Sequence, residues 1–324
     1  MFSLFKELNY HRGGLSHILI LKDGRLCSSS SDNTLIIYNS INFKPDLIIK
    51  EHSDYVNYHI QLKNENIVTC SWDNTLKIIK LLGTCKYKII QTLKEHKFVV
   101  DKAIELENGK LLTVADDLFV ILWKKNEKNN DLYEVEKKIK SSMNDYPNSN
   151  IVLINNDLLL CTSQSDFKIR FYEINNNFQL GFYFDMIHFS FSRNSVLYIE
   201  EKDLLFVGGK ENNGLYLFKL KKFPHLIGKF FGDWINEIHS IILLEEGNVL
   251  MGVHEKKKGK EGENEKSEFS ICKFGINENK VILLNKAKNA HKELINGITH
   301  WKQKNLFVSC SLDSKIKLWK VNEK

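Results

Sequence analysis

One spacing recurs along this chain and restricts its fold more than any other feature. It is fullest in residues 291–320, AHKELINGITHWKQKNLFVSCSLDSKIKLWK. Three short strands are readable there: ITHW, NLFVSCS and KIKLW. Apolar and polar residues alternate in the third, as on a half-buried strand. Leu312-Asp313-Ser314-Lys315 forms the turn before it. Ser309 lies four residues before Asp313, Trp319 six after it and His291 22 before it. Asp73 has Thr69, Ile79 and His52 at matching offsets, Asp117 has Thr113, Trp123 and His96, and Asp32 has Ser28, Tyr38 and His11. Two copies are thinner: Asp166 keeps Thr162 and Tyr172 without a His, and Asn212 keeps Gly208 and Phe218. A seventh, broken by an insertion, ends at Phe274. The gaps between the Trp-equivalent positions 38, 79, 123, 172, 218, 274 and 319 run from 41 to 56 residues. A period of that size means stacked supersecondary units, none able to bury its apolar face alone.

The phrases CSWDNTLKII, TVADDLFVILW and SCSLDSKIKLW, each preceded by EH or AH, resemble the WD-repeat family of β-propellers. The resemblance covers essentially the whole chain, most clearly in repeats one, two, three and seven. It implies an all-β fold: a seven-bladed β-propeller of four-stranded antiparallel blades, one domain over residues 1–324. The chain stops after the third strand of the last repeat, so FSLFKEL, residues 2–8, is expected to supply that blade's fourth strand. Closure of that kind removes two exposed sheet edges.

The resemblance also implies a buried hydrogen-bonded chain within each well-kept repeat. The expected members are His11, Ser28 and Asp32; His52, Thr69 and Asp73; His96, Thr113, Asp117 and Trp123; and His291, Ser309, Asp313 and Trp319. The chemistry suits it, because a buried carboxylate needs donors, and imidazole, hydroxyl and indole supply them in series. In the family, residues beside the repeat Asp and at the first-strand starts touch partners. Carried over by position, the expected partner-binding set is Tyr55, Asn57, Trp72, Asp101, Asp116, Trp234, Asn236, Asn296 and Leu312. Truncating Trp and Tyr at interface hot spots costs about 2 kcal/mol or more. The plainer reading of an aromatic in a tight turn is packing against its own loop.

Composition narrows the function classes. The net charge of +6, from 46 basic and 40 acidic residues, is spread along the chain. A dedicated nucleic-acid binder carries a clustered basic patch instead. The six cysteines form no C-x-x-C pair, and four lie three or five residues before a repeat Asp. Small buried hydrophobes in a reducing compartment are expected, not disulfides or metal ligands. FSLFKELNYHRGG is too short and polar for a secretory leader, and no apolar run reaches the roughly 20 residues of a membrane span. The segment EKKKGKEGENEKSE, residues 255–268, has no apolar residue and reads as a long solvated loop.

No motif for catalysis emerges. Gly208-Gly209 lacks the Lys-Ser/Thr of a phosphate loop, and H-E-x-x-H and Gly-x-Ser-x-Gly are absent. The recurring Ser/Thr, His and Asp invite comparison with a triad, but repetition in several blades suits a structural role. No helical leader of the G-protein β type, no Phe-Arg-Arg-Gly and no Trp-Asp-x-Arg is present. The sequence reading is therefore a non-enzymatic scaffold binding peptide segments or proteins on the propeller rim, as part of a complex. No metal, cofactor, catalytic residue or membrane insertion is expected. The cytoplasm is the expected location, with the nucleus left open. Two alternatives stay open: an RNA- or ribonucleoprotein-associated propeller, and an enzyme using a central-channel pocket.

Overall fold

The computed structural model describes residues 2–117, 119–140, 148–155, 157–163, 168–176, 178–186, 191–209, 214–221, 224–230, 235–257, 266–277 and 280–321. These residues form 28 strands and a single 3-10 turn, Lys302–Lys304. They fall into two compact units, residues 16–187 and residues 1–15 with 188–324.

Strand β1 (Phe2–Leu8) is taken up below. The next sixteen strands make four four-stranded sheets, each in chain order. The first holds β2 (Leu15–Ile20), β3 (Leu26–Ser30), β4 (Leu35–Tyr38) and β5 (Pro45–Ile49). The second holds β6 (Val56–Gln61), β7 (Ile67–Ser71), β8 (Leu76–Leu81) and β9 (Tyr87–Leu93). The third holds β10 (Val100–Glu105), β11 (Leu111–Ala115), β12 (Phe119–Asn126) and β13 (Asn129–Lys140). The fourth holds β14 (Asn148–Asn155), β15 (Leu158–Ser163), β16 (Lys168–Glu173) and β17 (Gln179–Asp185).

The other unit has a different pairing. β18 (Phe191–Ile199), β19 (Leu204–Gly209), β20 (Leu215–Lys219) and β21 (His225–Phe230) form one meander; β22 (Ile235–Leu243), β23 (Val249–Lys257), β24 (Lys266–Asn277) and β25 (Lys280–His291) form another. Among the described residues one parallel pair, Asn194 with Ser240, joins them into one eight-stranded sheet. The last sheet holds β26 (Ile295–Trp301), β27 (Leu306–Ser311) and β28 (Ile316–Val321), with β1 antiparallel to β28. Leu4 lies opposite Trp319 and Glu7 opposite Lys317, and Lys315 Nζ donates to Glu7 Oε1 at 2.6 Å. Where seven separate four-stranded sheets were expected, the fold has five and one of eight strands.

The core is a series of interlayers between successive sheets. Leu21, Cys27 and Ile37 pack with Ile67 and Ile79. Val68, Leu76 and Ile78 pack with Val100, Ala103 and Trp123. Second strands such as LCSSS, IVTCS and LLTVA are buried along their whole length. Their hydroxyls must therefore find partners inside. Five cysteines are buried and Cys85 is exposed, all as free thiols; burial pushes Cys161 and Cys272 up to about 12.

Two sequence expectations are corrected here. The polar segment 255–268 is not a loop throughout: Glu255, Lys256 and Lys257 pair with Glu268, Ser267 and Lys266. Glu255 is buried, and Lys286 Nζ donates to its carboxylate. An ion pair compensates the burial that composition alone forbids. Residues 258–265 lie outside the described residues. In repeat four the ladder sets Leu160 opposite Phe171, as Leu111 is set opposite Trp123. Phe171, fully buried and stacked on Phe182 at 4.3 Å, holds the Trp position in place of Tyr172.

Candidate partner-binding rim

The turns after the second strands are built from the inside. In repeat three, His96 Nδ1 lies 2.9 Å from Asp117 Oδ2 and its Nε2 2.8 Å from Thr113 Oγ1; Trp123 Nε1 donates to Thr113 Oγ1 at 2.9 Å. Roles follow from residue type. Indole N–H can only donate and a carboxylate can only accept, so Nδ1 carries the imidazole proton and the threonine hydroxyl donates to Nε2. Repeat seven repeats the chain: His291 Nδ1 to Asp313 Oδ2 at 3.0 Å, Nε2 to Ser309 at 2.7 Å, Trp319 Nε1 to Ser309 at 2.9 Å. Repeat two lacks the indole, but His52 bridges Asp73 and Thr69 at 2.7 Å each. In repeat one Ser28 donates to the Tyr38 hydroxyl at 3.2 Å. His11 is buried, and Asp32 accepts from Thr34 through both its backbone N–H and its hydroxyl.

Each Asp also ties its turn to the segment before the first strand. Asp73 accepts Ser53 N–H and Thr75 Oγ1, while Asp313 accepts Lys292 and Lys315 N–H. Asn33, Asn74 and Ser314, which follow their Asp, adopt left-handed φ of 67°, 67° and 65°. Asn tolerates that region better than most residues, and the Asx geometry supports it. Burial works against ionisation of all three carboxyls, but the hydrogen bonds received outweigh it. Asp313 is held at about 2, and Asp73 and Asp117 also lie below the usual range, with His291, His52 and His96 as the respective first donors. Burial lowers His291, in keeping with a neutral imidazole.

The turn so fixed presents Trp72. Trp72 N–H donates to Tyr55 O at 2.9 Å, and the two rings lie 4.9 Å apart, inclined by 35°. Tyr55 is 42% and Trp72 40% exposed, although aromatics of this size are usually buried. The same backbone tie recurs as Asp116 N–H to Val99 O and Leu312 N–H to Leu294 O. Asp116 is exposed, and Leu312 is partly exposed against Gly14.

The other expected rim residues sit differently. Asn57 and Asp101 are buried, and Asn57 Nδ2 donates to Asp101 O and Oδ1 at 3.2 Å each. Ser16 Oγ donates to Val56 O at 2.6 Å, and Asn296 Nδ2 to Leu15 O at 2.8 Å. Second positions of first strands thus reach the neighbouring first strand, as a belt between sheets instead of an exposed face. Asn236 is buried, with Nδ2 3.2 Å from His254 Nδ1. Trp234 and the repeat positions Asp166 and Asn212 lie outside the described residues.

Residues 284–320 match the family model described as WD domain, G-beta repeat. That stretch contains His291, Ser309, Asp313 and Trp319, whose side chains form the buried chain described above.

Residues 284–320 of the chain are a WD repeat.

A search of curated proteins finds no match to the chain. Two interior clusters escaped the sequence reading. His17, Tyr58 and Lys102, the third residues of β2, β6 and β10, form a row: the His17 and Tyr58 rings lie 4.1 Å apart, and Lys102 Nζ lies 5.2 Å over Tyr58. Burial lowers the Lys102 ammonium to about 8. Their equivalent places on first strands were the available signal. In the other unit Glu237 Oε2 lies 2.8 Å from His239 Nε2, and His239 and then His254 hold its carboxyl far below the usual range. Nothing in WINEIHS marks that pair. The repeat hydroxyls Thr69, Thr113 and Ser309 are fully buried, which bars them from acting as nucleophiles. Among the described residues no helix is long and apolar enough to cross a membrane.

Proposed function

We propose that this protein is a non-enzymatic WD-repeat scaffold that binds peptide segments or whole proteins on the rim carrying the repeat Asp turns. WD-repeat propellers generally mediate protein–protein interactions and are typically not enzymes. The observation that carries the reading is the Tyr55–Trp72 pair. Two large aromatic side chains are held partly in solvent by a turn whose rigidity comes from the buried His52–Thr69–Asp73 chain. Rigid aromatic area with little ordering entropy left to lose is what an interface anchor requires. Asp116 and Leu312 occupy the same place in their repeats and supply a more polar and an aliphatic variant.

In this reading the eight-stranded sheet is two blades, because its halves share one residue pair while each half is a complete four-stranded meander. The chain is then one seven-bladed propeller over residues 1–324, its last blade completed by β1. It acts in the cytoplasm within a complex, a setting that suits its buried free thiols. The test is the double substitution Tyr55→Ala with Trp72→Ala in the full chain, reading melting temperature and co-purifying proteins together. Partners lost with the melting temperature kept support the rim. Partners retained with the fold kept refute it.

A further inference from the structure

At the opposite ends of the same strands, an open cleft of about 550 Å³ lies between the sheet of β2–β5 and the sheet of β6–β9. Its walls are the hairpin ends away from Asp32 and Asp73, so it is separate from the Tyr55–Trp72 rim. Most of its charged groups are already matched. Arg25 donates through Nε and Nη2 to Asp23 and through Nη1 to Thr84 O, and Lys80 lies 3.5 Å from Asp131.

Two buried polar atoms are not matched. Asp46 Oδ1 accepts from Asn39 Nδ2 at 3.2 Å, but its buried Oδ2 has no hydrogen-bond partner. Asn66 is 2% exposed, and its Nδ2 donates to nothing. Unsatisfied buried polar atoms are costly and rare in folded proteins, and they point to a missing partner. Glu65, exposed on the same wall, adds a second carboxylate. Ile41 stands at the cleft 84% exposed, the most exposed large apolar side chain among the described residues.

We propose that this cleft binds a short basic peptide segment. Asp46 receives a lysine or arginine head group, Asn66 donates to a carbonyl of the segment, and Ile41 packs against an apolar side chain next to the basic one. Charge complementarity selects this occupant: Asp46 and Glu65 are carboxylates with no ion pair among the described residues, and an acidic segment meets repulsion from both. A neutral polyol satisfies Asp46 and Asn66 but leaves Ile41 in water. The protein then holds two segments at once, one at each end of the same two sheets.

The experiment follows the Ile41 methyl resonance of the full-length protein, assigned by Ile41→Val. The probes are Ac-Arg-Leu-Gly-NH2, Ac-Glu-Leu-Gly-NH2 and glucose. The arginine peptide is expected to shift the resonance saturably, and the other two to leave it in place. Asp46→Asn is expected to weaken the arginine peptide by about tenfold, in line with loss of a charge-assisted hydrogen bond. Glu65→Gln, at an exposed position where folding is not at stake, is expected to weaken it two- to threefold, about what a surface charge contributes. The double alanine at Tyr55 and Trp72 is expected to bind it unchanged. No saturable shift overturns the proposal. So does an equal response to the glutamate peptide or to glucose, or unchanged binding in both carboxylate variants.

Discussion

Replacing Thr113 by Val keeps the shape of a fully buried side chain and removes only its hydroxyl. Two partners lose their match, the Trp123 indole N–H at 2.9 Å and His96 Nε2 at 2.8 Å. Each orphaned buried group costs about 1–3 kcal/mol, so the loss should be roughly 2–6 kcal/mol. Thr69→Val supplies an internal reference. Its repeat has Ile79 where the indole would be, so His52 Nε2 at 2.7 Å is orphaned and, beyond that, a long 3.5 Å contact to Lys77 O is lost. The expected loss there is about 1–3 kcal/mol, and the difference between the variants measures the indole bond. Denaturant midpoints and slopes give both values, and exchange of the Trp123 indole proton reports the bond directly. The double variant Thr113→Val with Trp123→Phe should cost less than the sum of its parts by about 1 kcal/mol, because the orphaned donor is gone. Equal losses at Thr113 and Thr69, or an indole proton exchanging no faster in Thr113→Val, would refute the reasoning.

Further predictions concern the other load-sharing contacts. Asn57→Ala should lower stability by about 1–3 kcal/mol by removing its two hydrogen bonds to Asp101, with partner binding unchanged in the folded fraction; the paired readout is a melting curve and a pull-down. Glu255→Ala should destabilise by up to about 3–5 kcal/mol by removing the buried carboxylate that accepts from Lys286, and urea titration measures it. Deleting residues 1–9 should leave β28 with an open edge and give insoluble or strongly destabilised protein; an unchanged denaturant midpoint refutes the pairing's importance. Acidification should destabilise in two stages. His291 and the three repeat Asp groups all have folded pKa values below their unfolded ones, so the unfolded state binds more protons and stability rises with pH. The His291 contribution is full above its unfolded value near 6.5 and declines as pH falls below it, and the Asp contribution declines below about 4. A midpoint that rises between pH 7 and 5 contradicts the sign.

The parts of the fold that depend on one residue type at one place were legible in the sequence. A carboxylate beside a left-handed Asn, a hydroxyl four residues earlier and an imidazole 21 or 22 earlier meet because few other residues can complete a donor–acceptor series. Tyr55 and Trp72 were legible as neighbours for the same reason, since their turn is set by Asp73. What depends on the adjoining sheet was not. Asn57 and Asp101 look like rim residues beside a strand start, and only the neighbouring first strand makes them a belt. In repeat four, Phe171 and Tyr172 are adjacent aromatics, and a register shift between them decides which one is buried. Composition over residues 255–268 averaged away Glu255, whose place depends on Lys286 from a strand 31 residues on. The cleft near Asp46 was invisible because its walls come from four separate hairpin ends.

The most direct test of the rim is site-specific photocrosslinking in cells. A photoreactive phenylalanine placed at position 72 is compared with one at Ile48, which is also exposed but lies on the outer strand β5. The account predicts discrete crosslinked partner bands from position 72, lost when Tyr55 is also replaced by Ala, and none of those bands from position 48. The same partners crosslinked from position 48, with none from position 72, would contradict it.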